Sequence, residues 1–557
     1  MQYEKIIARL PKGIRGQKLP NEWKYCIVPI YNMKIFNLKT IYSKLGTALI
    51  ILFCAAVLAL GLRGLPGNPT AEELNSPRWV TTGPFELSNE RGRFALLYSV
   101  LENHSFQFAL PLARFATPDL ALSPDSQYVS LFAPAVSFIA IPGYIIGKYF
   151  GASQVGAFAV IALFAIFNVF LIRAIAIRMG TDKTAATIGA LAFLFATPAF
   201  AYAVTLYQHH ISLFIILLSV YILMRWNNFW SLSAVWFLLA LSAAVDNPNV
   251  IFMAPIGLYA AAKMFVINKE PAKIIVRFRK KALIALIGAL VPVILFLWFN
   301  QASHGNPLKL SGTLPRVLTI DESGKPAQKP LNLSQEKNPA NQDTKKSAIG
   351  FFQTRNLLNG FYIHIFSPDR GIIFYAPVIL LGLLGFLFLL SANKTAGNIL
   401  ITVGGAVFLL YSMWGDPWGG WAFGSRYMIP LYAILAIGLS FAIARWKKNY
   451  LFIVIFLPLL AYSVWVNALG AITSSRNPPQ AEVLELEKLS GHEEKYTYAR
   501  NLQYLDGNDS KSFVFQQYGK NIMNARQYHW ILTVIIFACL LGLFAWYALV
   551  KRKGSSL

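Results

Sequence analysis

The stretch that organises this chain runs from Tyr411 to Pro430 and reads YSMWGDPWGGWAFGSRYMIP. It connects two apolar segments that are each long enough to cross a bilayer. Three tryptophans, one carboxylate and one arginine are concentrated in it: Trp414, Trp418, Trp421, Asp416 and Arg426. Tryptophans and glycines at such a place are typical of an aromatic belt with turns at a membrane interface. An arginine at the mouth of an apolar segment usually pairs with an anion, so Arg426 favours a binding surface for an anionic ligand.

The composition indicates a membrane protein. The 557 residues are 56% hydrophobic, and their mean hydropathy is +0.49. Apolar stretches of roughly 17 to 20 residues recur along the chain, and this is the length that a spanning helix requires. The sequence therefore predicts an all-α polytopic membrane protein with about twelve transmembrane helices.

The charge distribution argues against a nucleic-acid partner. Although the net charge is +25, the basic residues lie in short segments between apolar spans, which is the pattern that sets membrane topology. Such residues also suit anionic headgroups, so membrane lipids are the expected partners. The three cysteines, Cys26, Cys54 and Cys539, have neither a disulfide pattern nor the spacing of metal ligands.

The same charges predict the orientation of the chain. Residues 1–45 contain nine basic and two acidic residues, which indicates a cytoplasmic tail before an uncleaved first span. The first external loop then covers residues 63–154. Within it, Leu131–Phe150 is apolar enough to span, but a crossing there would leave the basic residues after the next span outside the cell. We therefore expect a juxtamembrane helix at this position, with both termini of the chain cytoplasmic.

The rest of the chain divides by composition into three further parts. Residues 46–470 form the predicted transmembrane core, with a long external loop over 300–370 that is expected to be mobile at its polar centre. Residues 471–527 form an external segment that is too short to hold much of a core. Residues 528–557 comprise the last span and a basic cytoplasmic tail. No internal repeat and no separate soluble catalytic domain is evident.

Three blocks of this sequence resemble one family. WGDPWGGWAFGSRYMIP resembles the W-GG-W-x-x-G-x-RY-x-x-P pattern of bacterial and archaeal membrane glycosyltransferases of the GT-C superfamily, relatives of protein O-mannosyltransferases and lipid A aminoarabinose transferases. Phe366–Pro377 (FSPDRGIIFYAP) resembles their SP-x-RG-x-x-x-Y-x-P block. Ser88–Phe106 resembles the acidic start of their first external loop. The blocks stand in the family's order and are spread through most of the chain.

This resemblance implies a GT-C fold and an inverting transferase. The enzyme would move a monosaccharide from a polyprenyl phosphate to a lipid, glycan or protein acceptor on the exoplasmic face, in a prokaryotic plasma membrane. Such a reaction needs a carboxylate that accepts the proton of the acceptor hydroxyl and cations that stabilise the leaving phosphate. No cofactor is predicted, and although a divalent metal is compatible with the chemistry, no His/Asp spacing supports one.

The resemblance implies Glu90 or Asp119 as the catalytic base. The family commonly has an Asp or an Asp-Glu pair at the start of the first external loop, and here Asn89 occupies the position of the first acid. A structural alternative stays open, in which Glu90 only caps the start of a helix.

The resemblance implies Arg370 and Arg426 as ligands of the donor phosphate, for which the planar guanidinium is well suited. Either arginine could instead be paired with a carboxylate. One family feature is missing, because Tyr128–Pro134 (YVSLFAP) has no charged residue where many relatives have one. A phosphate or acceptor contact is therefore either absent or supplied from elsewhere.

The remaining candidates for substrate binding lie at the predicted outer ends of spans: His209, Asp246, Asp416, Trp418 and Trp421. The tryptophans could stack on a sugar face, and Asp246 could equally belong to a plain turn.

Two other functions stay open. One is a related ligase that transfers a longer glycan from a lipid pyrophosphate. The other is a non-enzymatic carrier or flippase, which would be expected to bury charges in the middle of its spans.

Overall fold

The computed structural model describes residues 45–270, 273–327 and 353–549. The chain divides after Ala56 into two compact units. Of the first, the structure describes residues 45–56, which belong to the helix Leu45–Gly61. All other elements belong to the second unit, residues 57–557. The predictions for the N-terminal tail, for the centre of the loop 300–370 and for the basic tail after residue 549 lie outside the described residues.

Six helices of the described chain are long and apolar enough to cross a membrane. They are Ser153–Arg178, Ala282–His304, Lys394–Ser412, Arg426–Trp446, Tyr450–Ile472 and Ala525–Leu549. The helix Arg426–Trp446 is the most deeply buried of them. It begins within the stretch Tyr411–Pro430, called the Trp/Gly stretch below. The prediction of a predominantly helical integral membrane protein is confirmed at this level.

Further apolar helices of 10–17 residues accompany the six. They are Leu45–Gly61, Ala135–Tyr149, Lys183–Phe195, His209–Arg225, Phe229–Val245, Asn249–Ala262 and Pro377–Ala392. Some are short because proline interrupts them: Lys183–Phe195 ends shortly before Pro198, and the helix resumes at Ala199–Ala203. The number of about twelve spans stays a prediction, since length alone does not assign these helices.

The region predicted to be the first external loop, residues 63–154, combines short helices with a small sheet. Its helices are Glu73–Asn75 (3₁₀), Pro77–Val80, Ser88–Glu102, Leu110–Ala116 and Ala135–Tyr149. The strand Leu120–Leu122 pairs antiparallel with Tyr128–Ser130 on one side and with Arg316–Val317 on the other. The expectation of an all-α chain missed this sheet, because strands of two or three residues show no alternation and one of them comes from a distant loop.

A second sheet lies in the basic segment between two spans. It is a hairpin of the strands Phe265–Glu270 and Lys273–Phe278, in which Phe265 pairs with Phe278. It is followed by the helices Lys280–Ile284, Ala285–Ala289 (3₁₀) and Leu290–His304. The remaining short elements are Ser311–Thr313, Thr354–Asn356 and Arg426–Met428 (all 3₁₀), Leu357–Ile365, Ile372–Tyr375, Pro377–Leu380 and Gly382–Ala392.

The segment 471–527 is hydrogen-bonded to a buried ion pair of the first loop. Its helices are Gln480–Ser490, Ala499–Asp506, Phe513–Gln517 and Gly519–Asn521 (3₁₀). Nη1 of Arg63 donates to Oε2 of Glu86 at 3.1 Å, and Nη2 donates to the Gly470 carbonyl and to the Ser475 hydroxyl, both at 2.9 Å. The Ser475 amide donates to the same Glu86 oxygen at 3.1 Å. This network fixes the backbone just before the helix Ser88–Glu102.

Candidate functional site

The Trp/Gly stretch forms a tight loop between the helices Lys394–Ser412 and Ile429–Trp446. Gly419 and Gly420 have φ values of +73° and +63°, a left-handed conformation that favours glycine. Asp416 closes this turn, because its Oδ2 accepts from the Gly420 amide at 2.6 Å and its carbonyl accepts from the Gly419 amide at 3.1 Å. Asp416 was predicted to bind substrate, and its observed bonds are those of a loop-closing residue.

Arg370 stabilises the same loop through hydrogen bonds to its backbone. The side chain is fully buried, and its Nε and Nη2 donate to the carbonyls of Trp418 and Gly420 at 3.0 and 2.9 Å. Further bonds reach the carbonyls of Asp369 at 2.8 Å and Asn477 at 3.1 Å. With its donors directed at the backbone, Arg370 has the environment of a structural residue, and this geometry does not support the predicted contact with the donor phosphate.

We expect Arg370→Lys to destabilise the protein by roughly 2–4 kcal/mol. Lysine keeps the charge, but its single ammonium cannot reach carbonyls that lie in several directions, and buried acceptors would be left unpaired. The measurement is thermal unfolding in detergent. The exposed Arg355 provides a control, because Arg355→Lys should change stability by less than about 0.5 kcal/mol. Equal unfolding temperatures for both variants would contradict the structural role.

Arg426 forms fewer hydrogen bonds than Arg370 within the described residues. Its side chain is buried, with 7% exposure, yet only Nη2 has a partner, the Gly419 carbonyl at 2.5 Å. Nε and Nη1 have no hydrogen-bond partner within the described residues. The guanidinium lies over the rings of Tyr207 and Tyr427, at 5.3 and 5.7 Å from their centroids. A buried guanidinium with unused N–H groups is suited to an anion.

Glu90 lies at the start of the helix Ser88–Glu102 and is fully buried. Its Oε2 accepts from the Leu87 amide at 3.4 Å, so the capping alternative holds for one oxygen. Oε1 makes no hydrogen bond of normal geometry within the described part of the chain, and the Thr205 side chain lies close enough to act on the carboxyl group. Burial raises the pKa of Glu90 to about 7, although the charge of Arg63 acts in the opposite direction. A carboxylate with this pKa can exchange a proton near neutral pH.

In Asp119, both carboxylate oxygens have partners. Its carboxylate forms an ion pair with Arg316 and accepts from the Ser88 hydroxyl at 2.5 Å. Nε of Arg316 also donates to the carbonyl of Pro118 at 3.0 Å. These bonds tie the first external loop to the strand Arg316–Val317. They favour a positioning role for Asp119, since both of its carboxylate oxygens already have partners.

His209 and Asp246 lie at the ends of two helices that are joined by a hydrogen bond between Gln208 and Asp246. His209 is the first residue of His209–Arg225, its ring stacks on Tyr207 at 5.7 Å, and its Nε2 has no partner among the described residues. Asp246 caps the helix Phe229–Val245, and its Oδ2 accepts from Nε2 of Gln208 at 3.1 Å. Burial raises the pKa of Asp246, while the charge of Arg93 opposes the rise.

The two predicted tryptophans have separate environments. The Trp418 carbonyl accepts from Arg370, as described above, and its side chain is half-buried. Nε1 of Trp421 donates to Oε2 of Glu482 at 2.9 Å, and the guanidinium groups of Arg476 and Arg500 lie over its ring at 5.1 and 5.6 Å. Trp421 therefore packs against the external segment, and this contact does not favour its predicted stacking on a sugar.

Arg93 is a further buried cation of this neighbourhood, and the sequence analysis did not identify it. Its side chain is 2% exposed, its Nη1 donates to the Asn89 carbonyl at 2.9 Å, and its Nε is unpartnered within the described residues. The guanidinium lies 4.4 Å from the ring centroid of Phe132, inside the block that lacks the family's charged residue. The motif SNERGRF contains Arg93 three positions after Glu90, and this was the available signal.

The structure thus brings Glu90, Arg93, Tyr207, His209 and Arg426 into one neighbourhood. The charges of Glu90, Arg426 and Arg93 all act on Tyr207, and those of Arg426 and Arg93 act on His209. Asp246 lies in the same field. No group of three or more His, Cys, Asp or Glu side chains that could hold a metal occurs among the residues that the structure describes.

The solved structures that are similar to this chain include two of ArnT from Cupriavidus metallidurans. The apo form is 11% identical with a TM-score of 0.44, and the match covers 92% of this chain and 76% of ArnT. The form bound to undecaprenyl phosphate is 12% identical with a TM-score of 0.44, over 90% and 75%. No family model and no curated protein matches the sequence. Because a likeness of this extent carries no argument on activity, we derive the function from the residues of this chain.

Proposed function

We propose that the chain is a membrane glycosyltransferase that moves a monosaccharide from a polyprenyl phosphate to an acceptor hydroxyl on the outer face of the membrane. The observation that carries the proposal is the pairing of two buried groups in one neighbourhood. Glu90 has a free carboxylate oxygen and a pKa of about 7. Nε and Nη1 of Arg426 have no hydrogen-bond partner within the described residues, and the guanidinium lies over the Tyr207 ring. These are the base and the phosphate ligand that glycosyl transfer requires.

The reaction follows from these two roles as a single displacement. The acceptor oxygen attacks the anomeric carbon while Glu90 takes the hydroxyl proton. The bond between the anomeric carbon and the phosphate oxygen breaks, and its electron pair leaves with the phosphate. Arg426 stabilises the added negative charge through two-point hydrogen bonding, which a buried guanidinium provides at no cost of reorganisation. The configuration at the anomeric carbon is inverted.

Arg93 is our candidate for the second cation of the site. The block Tyr128–Pro134 lacks the charge that relatives have there, and Arg93 lies over Phe132 of this block with its Nε unpaired in the described chain. A guanidinium from the helix Ser88–Glu102 would thus replace a side chain from the following block. Arg370, whose donors go to loop carbonyls, has no part in this proposal beyond holding the loop.

The proposal is tested by following the bond between sugar and phosphate. Purified protein would be given a mannosyl undecaprenyl phosphate labelled in the sugar, together with membrane extract as the source of acceptors. We expect free undecaprenyl phosphate to appear as the label enters a new product. A carrier or flippase would leave the sugar–phosphate bond intact. A ligase would require a lipid pyrophosphate as donor, and activity with that donor alone would contradict our proposal.

The pH dependence of transfer should report Glu90. A general base works in its deprotonated form, so kcat/KM should rise with pH, reach half its limit near pH 7, and fall about tenfold per pH unit below it. The midpoint near 7 follows because burial raises the pKa of Glu90 to that value. The measurement is kcat/KM between pH 5 and 9 in detergent. A midpoint near 4.5, the ordinary value of a glutamic acid, would contradict a buried base.

The sidedness of the site can be tested with exposed positions. A cysteine at Ser323, an exposed residue after the strand Arg316–Val317, should react with an impermeant thiol reagent applied from outside the cell. A cysteine at Lys448, exposed at the end of Ile429–Trp446, should react only after permeabilisation, because positive charge there indicates the cytoplasmic side. The reverse pattern would invert the topology and place the site on the cytoplasmic face.

A further inference from the structure

Three consecutive residues each carry an unsatisfied buried polar atom. They are the hydroxyl of Tyr207, Oε1 of Gln208 and Nε2 of His209, none of which has a hydrogen-bond partner within the described part of the chain. Tyr207 and His209 are 1% and 5% exposed. Because leaving a buried polar group unpaired is unfavourable, three in a row indicate a surface whose hydrogen bonds are completed by a ligand.

This surface borders the proposed phosphate site. The guanidinium of Arg426 lies over the Tyr207 ring at 5.3 Å, and the His209 ring stacks on the same tyrosine ring at an interplanar angle of 12°. A group that is covalently attached to a phosphate held by Arg426 would therefore lie beside Tyr207, Gln208 and His209. In a glycosyl polyprenyl phosphate, the group directly attached to the phosphate is the sugar.

The charges around this surface constrain the sugar. The one carboxylate bonded to it, Asp246, already accepts from Gln208 and is balanced by the charges of Arg93 and Arg426. The same arginines act on His209. An ammonium group would thus face two cations, and the remaining carboxylate of the neighbourhood, Glu90, is the base proposed for the acceptor hydroxyl. A carboxylate group on the sugar would face Oε1 of Gln208, an atom that can only accept hydrogen bonds.

We infer that Tyr207, Gln208 and His209 form the sugar subsite and that they select an uncharged, hydroxyl-rich sugar. Each of the three atoms can pair with a hydroxyl, which both donates and accepts. Asp246 supports the subsite by orienting the amide of Gln208, since its bond to Nε2 turns Oε1 toward the ligand. The inference rests on the proposed transfer from a polyprenyl phosphate.

The test compares matched ligands on the full chain in detergent. Binding would be measured for undecaprenyl phosphate alone and for its glucosyl, glucosaminyl and glucuronosyl derivatives, which differ at single positions of one sugar. In the wild type we expect the glucosyl derivative to bind more tightly than the other three. In Gln208→Met, which keeps the length but removes the acceptor, the advantage of the glucosyl derivative should fall about tenfold, while undecaprenyl phosphate alone binds as before.

The control is Gln503→Met, at an exposed glutamine of the helix Ala499–Asp506, which should change none of the four affinities. Equal binding of all four ligands by the wild type would overturn the sugar subsite while leaving phosphate binding intact. Tightest binding of the glucosaminyl or glucuronosyl derivative would overturn the assignment of an uncharged sugar. If undecaprenyl phosphate alone does not bind, the proposed function itself fails, and with it this inference.

Discussion

Replacing Glu90 by glutamine is expected to reduce sugar transfer by roughly 100- to 10,000-fold, which is the usual contribution of a general base. Glutamine has nearly the same shape and can still accept from the Leu87 amide, but it cannot take up the acceptor proton. The affinity for undecaprenyl phosphate should stay close to that of the wild type, because the phosphate ligand Arg426 is unchanged. The measurements are kcat with the labelled donor and the dissociation constant of the lipid phosphate.

Asp119→Asn is the matched comparison for this result. The structure pairs Asp119 with Arg316 and Ser88, so its loss should disturb the first external loop and lower stability without abolishing the chemistry. If Asp119→Asn is inactive while Glu90→Gln turns over normally and both are folded, the roles of the two acids are exchanged. Full activity in both variants would refute the transferase mechanism proposed here.

The second large effect is expected at Arg426. Arg426→Ala should weaken the binding of undecaprenyl phosphate about 100-fold or more, because two charge-assisted hydrogen bonds in a buried site are lost together. Arg426→Lys keeps the charge but has no planar pair of donors, so we expect a loss of about tenfold. The measurement is lipid phosphate affinity in detergent, with the unfolding temperature of each variant recorded beside it.

The exposed Arg355 again supplies the control, since Arg355→Ala should leave affinity unchanged. Arg426→Ala also removes the hydrogen bond to the Gly419 carbonyl, so part of its weaker binding can come from a destabilised loop. Arg426→Lys disturbs the loop less, so weaker binding in this variant is not explained by lower stability. Unchanged affinity in both Arg426 variants would remove this arginine from the phosphate site and make Arg93, whose Nε is unpaired within the described residues, the next candidate.

Local sequence features predicted part of the candidate site. Glu90 and Arg426 were identified because an acid at the start of an external helix and an arginine at the mouth of an apolar span are unusual residues for those places. His209 and Asp246 were identified at the outer ends of spans, and the structure brings both near Arg426. For Arg370, Asp416 and Trp421 the motif was visible, but the observed bonds go to the loop itself or to the external segment.

Other members of the neighbourhood carried little signal. Tyr207 and Arg93 are ordinary residues in their local sequence. They become unusual because the chain buries them near Arg426, with the Tyr207 hydroxyl and Nε of Arg93 unpaired within the described residues. The pairing of Arg63 with Glu86 and Ser475 joins the first loop to a segment some four hundred residues away. The small sheet depends in the same way on Arg316–Val317, a strand that is too short to be recognised by alternation.

By itself, the sequence determined that this is a helical membrane protein, which segments are apolar, and where unusual polar residues interrupt them, because these properties depend on composition and local spacing. Only the tertiary structure decided which of these polar groups are spent on the fold and which stay unpaired. Arg370 and Arg426 stand in equally good motifs, yet one is bonded to loop carbonyls and the other has two unused N–H groups. The pKa of Glu90 is likewise raised by burial, which depends on residues from distant parts of the chain.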